Sequence, residues 1–310
     1  MSFDIETISF KLGEVTIPVG EICAKTGRNY ERLIQRSGFE FVHRTTESDE
    51  TFFKTFIDAE LKIKEGDFVI FVNQSISSLI PGKVSRLFSN RSDATMTGFL
   101  EISDGCTGFC RGLIMAHALI ESGTAYRVHI VCAEKYSDFF SDLDESVSPI
   151  FSDAISLTTL KANGPYQIIG SKFRNYFDRS ETISIVTNPG GVDKLRMDGA
   201  QVLTWATREV PALVNELLEE NGLGSCEVNS WLLHQGSKIV VESLLDKLEV
   251  DLGSNFNATN QGNTVSSTIP IMLKKKTPDG GEFLPSGFAI MLGFGVGLSI
   301  IAVLLAIDSK

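Results

Sequence analysis

Proline is scarce, at 9 of 310 residues, and tryptophan scarcer still, at 2. So few prolines exclude a polyproline or linker-rich chain. Basic charge is in deficit: 28 Lys and Arg stand against 39 Asp and Glu, a net charge of −11. A chain built to grip a phosphate backbone carries a basic surplus, so nucleic acid is not an expected partner. Cysteine occurs only at 23, 106, 110, 132 and 226, odd in number and irregular in spacing. That excludes a disulfide framework, and Cys106, Cys110 and His117 are too few and too poorly spaced for a zinc site. The opening MSFDIETISF has Asp4 and Glu6 and no basic flank before an apolar core. No secretory signal is read there, and a reducing cytoplasm is the expected location. P-loop, HExxH and GxSxG motifs are all missing.

What is present is globular. Hydrophobic residues make up 43% and charged residues 22%, with 27 glycines, as in an α/β protein with close-packed turns. The length suits one large or two medium domains. Phe288 to Ile307 is a nearly unbroken apolar run, long enough to span a bilayer. It is interrupted by Gly293, Gly295 and Gly297 and has no Lys or Arg ahead of Asp308. Two buried strands joined around Gly-Val-Gly explain it better than a membrane span.

Strand-like and helix-like segments alternate. Asp67–Val72 and Phe99–Ile102 are compact strands. Phe109, Leu113, Ala116 and Ile120 recur at helical spacing and end at Gly123. Tyr126, Val128, Ile130 and Cys132 alternate as a strand. A second helix carries Val210, Leu213, Val214, Leu217 and Leu218, with Pro211 placed early and Gly222 at the end. The strand VNSWLLH and a helix from about Ser237 to Leu248 follow. This order predicts an α/β architecture. GDFVIFVNQSISSLIPGKVSRLF also resembles EVNSWLLHQGSKIVVESLLDKL, each an apolar strand, a glutamine (Gln74, Gln235) and an amphipathic helix. That likeness suggests two related halves, 1–163 and 164–310.

The sharpest chemical feature is Ser103-Asp-Gly-Cys-Thr-Gly-Phe109, where a strand gives way to a glycine-flanked turn and a helix. Cys106 then sits at a helix N-terminus, where the dipole and free N–H groups favour a thiolate. The alternative is a small buried residue at a crowded turn. His234 closes the apolar strand WLLH, the end of a strand where functional groups collect in open α/β sheets. It suits a base or an oxyanion donor, or else a satisfied polar residue. Asn263 follows Gly262 and begins the small-residue run TVSST, as at a tightly packed helix start. Gly293-Phe-Gly-Val-Gly does not complete GxGxxG, and too little chain follows it for a dinucleotide site.

Taken together, these segments are similar to the β-ketoacyl-acyl-carrier-protein synthase III group of the thiolase superfamily. DGCTGF resembles that family's nucleophile motif, LLHQGSKIV its His-Gln segment, NQGNTVSST its Gly-Asn segment and LGFGVGLS its C-terminal glycine loop. The resemblance runs from RLIQRSGFEFVHR to the last strand. It implies a five-layer αβαβα fold of two duplicated halves, normally a homodimer. It implies that Cys106 takes an acyl group from a thioester, and that His234 and Asn263 hold the thioester oxygen of a malonyl-type donor as carbon dioxide leaves. The backbone N–H groups of Cys106 and Val296 would form the oxyanion hole. No cofactor is implied beyond acyl-coenzyme A or acyl-carrier-protein thioesters as substrates.

The chain departs from the family pattern in three places. The glycine triplet reads Gly-Val-Gly around Val296. The adenine-stacking tryptophan is replaced by Arg32, although Arg36 matches. The second stacking arginine falls in the acidic stretch SDLDESVSP. These departures suggest a specialised fatty-acid or secondary-metabolite enzyme whose primer arrives on carrier protein. An acidic carrier protein requires a basic patch at the tunnel mouth, for which Lys238 and Lys247 join Arg36 as candidates. Two rivals remain: an acyltransferase on the same scaffold, with an amine, hydroxyl or sugar acceptor, and a non-catalytic or membrane-associated protein.

Overall fold

The computed structural model describes residues 1–75, 82–89, 98–187, 193–251, 253, 255–277 and 283–309. The chain runs β1 (Phe3–Leu12), β2 (Val15–Pro18), α1 (Val19–Thr26), α2 (Tyr30–Ser37), β3 (Phe41–Arg44), α3 (Asp49–Glu60), β4 (Asp67–Val72), α4 (Lys83–Leu87), β5 (Gly98–Ile102), α5 (Gly108–Glu121), β6 (Arg127–Glu134) and β7 (Ala154–Ala162). It continues through β8 (Tyr166–Asn175), β9 (Ile183–Thr187), β10 (Asp193–Met197), α6 (Gly199–Glu220), β11 (Val228–Leu233), α7 (Lys238–Lys247), α8 (Thr268–Lys276), β12 (Gly287–Gly295) and β13 (Ser299–Ile307).

Nine strands form one ladder in the order β11-β12-β13-β8-β1-β7-β6-β4-β5. β4 pairs parallel with β6, β6 antiparallel with β7, and β7 antiparallel with β1. The same scheme recurs as β11 parallel to β12, β12 antiparallel to β13, and β13 antiparallel to β8. β1 and β8 share a single register pair, Phe3 with Tyr166, so the ladder is two sheets joined at an edge. The strand–glutamine–helix likeness in the sequence therefore corresponds to β4 and β11 at equivalent places.

Three apolar cores separate the layers. Phe52, Phe53 and Phe56 of α3 and Leu87 of α4 pack on Val69, Phe71 and Val131. α5 and α8 lie between the sheets, where Phe109, Leu113, Ile269 and Met272 meet Ile70, Leu232 and Met291. Outside the second sheet, Trp205 and Leu213 of α6 and Leu244 of α7 cover Trp231, Ile290 and Ile300. The result is the αβαβα sandwich that the family resemblance implied. Each large apolar side chain fully removed from water contributes roughly 1.5–3 kcal/mol.

The long apolar run is the β12–β13 hairpin, buried along nearly all its length. Among the described residues no helix is long and apolar enough to cross a membrane. Two local expectations need correction. Pro211 lies in the interior of α6, because the helix already starts at Gly199 behind an Asp198 cap. β6 is buried on both faces rather than alternating, because α5 covers one side and α3 and α4 the other.

Candidate active site

The turn that carries Cys106 is fixed from both ends. Asp104 accepts the Thr107 hydroxyl at 2.7 Å and pairs with Arg111 from the first turn of α5. The strand β12 passes close by, and only glycine allows it. A Cβ on Gly293 would come within 2.8 Å of the Cys106 carbonyl, and one on Gly295 within 2.9 Å of Sγ. Gly295 also holds a φ of +150°, which side-chain-bearing residues rarely adopt. This close pass aims the backbone N–H of Val296 at the Cys106 sulfur, alongside the residue's own N–H.

Cys106 is 6% exposed. Burial, aided by the Glu134 and Asp104 carboxylates, pushes its thiol up to about 12 in spite of those two N–H groups. The helix N-terminus therefore does not leave a resting thiolate, as its position in the sequence suggested. Desolvation outweighs the dipole, and a base is needed.

His234 extends β11, with its N–H donating to Leu292 at 2.8 Å. Its Nδ1 lies 2.8 Å from Oγ1 of Thr268, and the ring meets Phe294 edge-on at 5.4 Å. Burial lowers its pKa to about 3, so the imidazole is neutral. Asn263 is held by backbone bonds on both sides, to Ile150 at 2.8 Å and from Ser152 at 2.9 Å. Its Oδ1 accepts the N–H of Val265 at 2.9 Å, which leaves Nδ2 as the donor facing outward.

Cys106, His234 and Asn263 all line one cavity of about 450 Å³. Leu33, Ile183, Met197, Val202 and Phe294 form apolar walls, and Arg28, Arg32 and Arg36 line its exposed end. The arginines recur every four residues along α2 and the turn before it, and among the described residues none forms an ion pair. Lys238 and Lys247 are not in the lining. Ser237, Ile239 and Val240 turn that end of α7 toward the cavity, Lys238 faces Glu242 at 3.8 Å, and Lys247 lies at the far end of the helix. Among the described residues the basic side chains of the lining come from α2 and the turn before it.

Three contributors escaped the sequence reading. Arg28 was legible in the four-residue spacing of arginines. Glu134, fully buried at the end of the apolar strand HIVCAE, accepts from Ser266 at 3.0 Å and from the N–H groups of Gln74 and Ser75. Burial lifts its pKa to about 8. Val265 has a φ of +55°, an unusual strain for a β-branched residue. Its N–H holds Asn263 and its carbonyl faces His234, so one strained residue links the two side chains.

Sequence comparison matches residues 100–176 to the profile for 3-oxoacyl-[acyl-carrier-protein] synthase III and residues 218–307 to that for its C-terminal part. Together they cover more than half of the chain. A β-ketoacyl-[acyl-carrier-protein] synthase III of Lactococcus lactis subsp. cremoris (strain SK11) is 26% identical over 291 residues, covering 87% of this chain and 89% of that protein. The solved 3-oxoacyl-[acyl-carrier-protein] synthase III of Aquifex aeolicus VF5 superposes with a TM-score of 0.84 at 22% identity, covering 98% of this chain and 99% of that one. The priming β-ketosynthase of the R1128 polyketide pathway gives 0.83 at 22% identity, with 99% and 97% covered. Likeness at such identity shows the shared fold.

Proposed function

The chain belongs to the 3-oxoacyl-[acyl-carrier-protein] synthase III family of condensing enzymes, and on that premise we propose how its own residues carry the reaction. The observation that carries the reading is the convergence of Cys106, His234 and Asn263 on one cavity with an arginine-lined mouth. In the first half, His234 Nε2 takes the Cys106 thiol proton. The sulfur attacks the thioester carbonyl, and the N–H groups of Cys106 and Val296 hold the oxyanion. Collapse expels the donor thiolate, which takes the proton from His234 and leaves acyl-Cys106.

In the second half, a malonyl-type thioester enters, and its carboxylate favours uptake of one solvent proton on Nε2, which makes His234 an imidazolium until that proton is passed on. His234 and the Asn263 amide then donate to its thioester oxygen. The bond to the carboxylate breaks, its electrons become the enolate, and the α-carbon attacks the acyl carbonyl. Cys106 departs as thiolate and recovers its proton from His234. We assign the two halves to 1–163, bearing the nucleophile, and 164–310, bearing His234 and Asn263.

Arg28, Arg32 and Arg36 form the patch for phosphate groups of a carrier-protein or coenzyme A thioester. A homodimer is supported by β5, the end strand of the ladder, which leaves Phe99 37% exposed. Similarity to condensing enzymes favours decarboxylation over transfer to an amine, hydroxyl or sugar. The test is to incubate the protein with an acyl thioester and malonyl-carrier protein and follow carbon dioxide. Acylated Cys106 with no release for any acyl chain would sink the proposal.

A further inference from the structure

The cavity that Cys106 shares with the arginines has Phe151 in its wall. Its lining includes Phe151 and Phe294 but neither Gln74 nor Tyr136. Both of those are packed against the turn that holds the cysteine. A Cβ on Gly105 would lie 2.5 Å from Oε1 of Gln74 and 3.4 Å from the Tyr136 hydroxyl.

Tyr136 is 1% exposed. Its ring stacks on Phe151, with centroids 5.2 Å apart and planes at 18°, and Phe139 meets it edge-on. Its hydroxyl donates to Gln74 Oε1 at 2.7 Å. Gln74 is anchored in turn, since its N–H and that of Ser75 both donate to Glu134 at 3.1 Å. The cavity wall at Phe151 is thus backed by a ring that cannot retreat without breaking a buried hydrogen bond.

We propose that Tyr136, held by Gln74, is a specificity-determining stop that restricts the acyl group on Cys106 to short chains. The inference rests on Cys106 being the acylated nucleophile. An acyl chain on Sγ has two directions to run. Forward, it shares the cavity with the arm of its own thioester. Rearward, it meets Phe151 and the Tyr136–Gln74 pair. A long chain therefore has to displace packed side chains, and close packing makes even single methylenes count.

The experiment loads the full-length protein with acetyl, butyryl, octanoyl and decanoyl N-acetylcysteamine thioesters, which bypass the arginine mouth. Intact-protein mass spectrometry after a short quench gives the ratio of decanoyl to acetyl adduct. The expected wild-type ratio is below about 0.1. Tyr136→Leu and Gln74→Ala should each raise it about tenfold or more, and Tyr136→Phe, which keeps the ring but loses the bond, should raise it less. A ratio within one preparation is insensitive to loss of folded protein. Decanoyl loading as fast as acetyl in the wild type, or an unmoved ratio in both Tyr136→Leu and Gln74→Ala, would overturn the stop. No adduct at Cys106 with any chain would instead remove the nucleophile, and the inference with it.

Discussion

Nδ1 of His234 lies 2.8 Å from the hydroxyl of Thr268, and that hydroxyl donates to the carbonyl of Val265 at 3.1 Å. Its hydrogen is thus committed, so the hydroxyl accepts from Nδ1. The bonding network assigns the ring proton to Nδ1 and turns the Nε2 lone pair toward the cavity. Thr268 acts through His234 and is a positioning residue. Thr268→Val removes the acceptor while keeping the shape, and should lower kcat for condensation about tenfold or more, the scale of one lost hydrogen bond to a buried group. Thr268→Ser should restore it, with KM little changed. Equal activity of the Val and Ser variants would show that the bond does not matter.

The neutrality of His234 has a consequence for pH. Burial holds its pKa at about 3, below the free value of 6.5. A base accepts protons only while neutral, and this one is neutral above about pH 3. The kcat/KM for acylation of Cys106 should therefore show no acid limb near pH 6.5. An inflection between pH 6 and 7 that disappears in His234→Gln would contradict this.

The thiol behaves in the opposite sense. With its pKa pushed up to about 12, Cys106 is protonated across the usual range. Alkylation by iodoacetamide should rise about tenfold per pH unit from 7 to 10 without a plateau, because only thiolate reacts. Glu134, itself lifted to about 8, is ionised only above that pH, so Glu134→Gln should quicken alkylation at pH 9–10, where its negative charge raises the thiol. A plateau near pH 7 in the wild type would mean that the helix N-terminus outweighs burial.

The three side chains that share the cavity were legible because each stands where local patterns change: Cys106 between strand and helix, His234 after WLLH, Asn263 before a run of small residues. The hairpin was legible because glycine and a missing basic flank spoke against a bilayer span. What brings the trio together was not. Val265 reads as one more apolar residue, and its left-handed backbone appears only when Asn263 and His234 are fixed on either side of it. Proximity to His234 in the chain points to Lys238 and Lys247, yet the basic side chains that line the cavity among the described residues come from α2 and the turn before it, far away in the chain and adjacent only in the fold.

That relocated mouth is testable. Arg32→Glu and Arg36→Glu should raise KM for carrier-protein and coenzyme A thioesters about tenfold, most strongly at low salt. Lys247→Glu should leave KM unchanged, because the residue lies at the other end of α7. Steady-state kinetics at two ionic strengths decides it. A KM that moves with Lys247 and not with the arginines would return the patch to α7.

Asn263 separates the two half-reactions. Its Oδ1 is occupied by the Val265 N–H, so Nδ2 is the atom left to donate to a substrate in the cavity. Asn263→Asp keeps the acceptor that holds the turn and replaces the donor with a second oxygen. An ionised carboxylate there would oppose the enolate instead of holding it. Decarboxylation of malonyl-carrier protein should fall about 10²–10³-fold, the usual cost of one lost oxyanion donor. Acyl-Cys106 should still accumulate, because the first half-reaction uses Cys106, Val296 and His234. Lowering the pH should recover part of the rate in the Asn263→Asp variant, since the introduced carboxyl regains an O–H donor once protonated. Rapid-quench kinetics that follow the acyl adduct and carbon dioxide separately decide the point. If both half-reactions slow equally, and acid brings no recovery, Asn263 is shaping the turn and not the transition state.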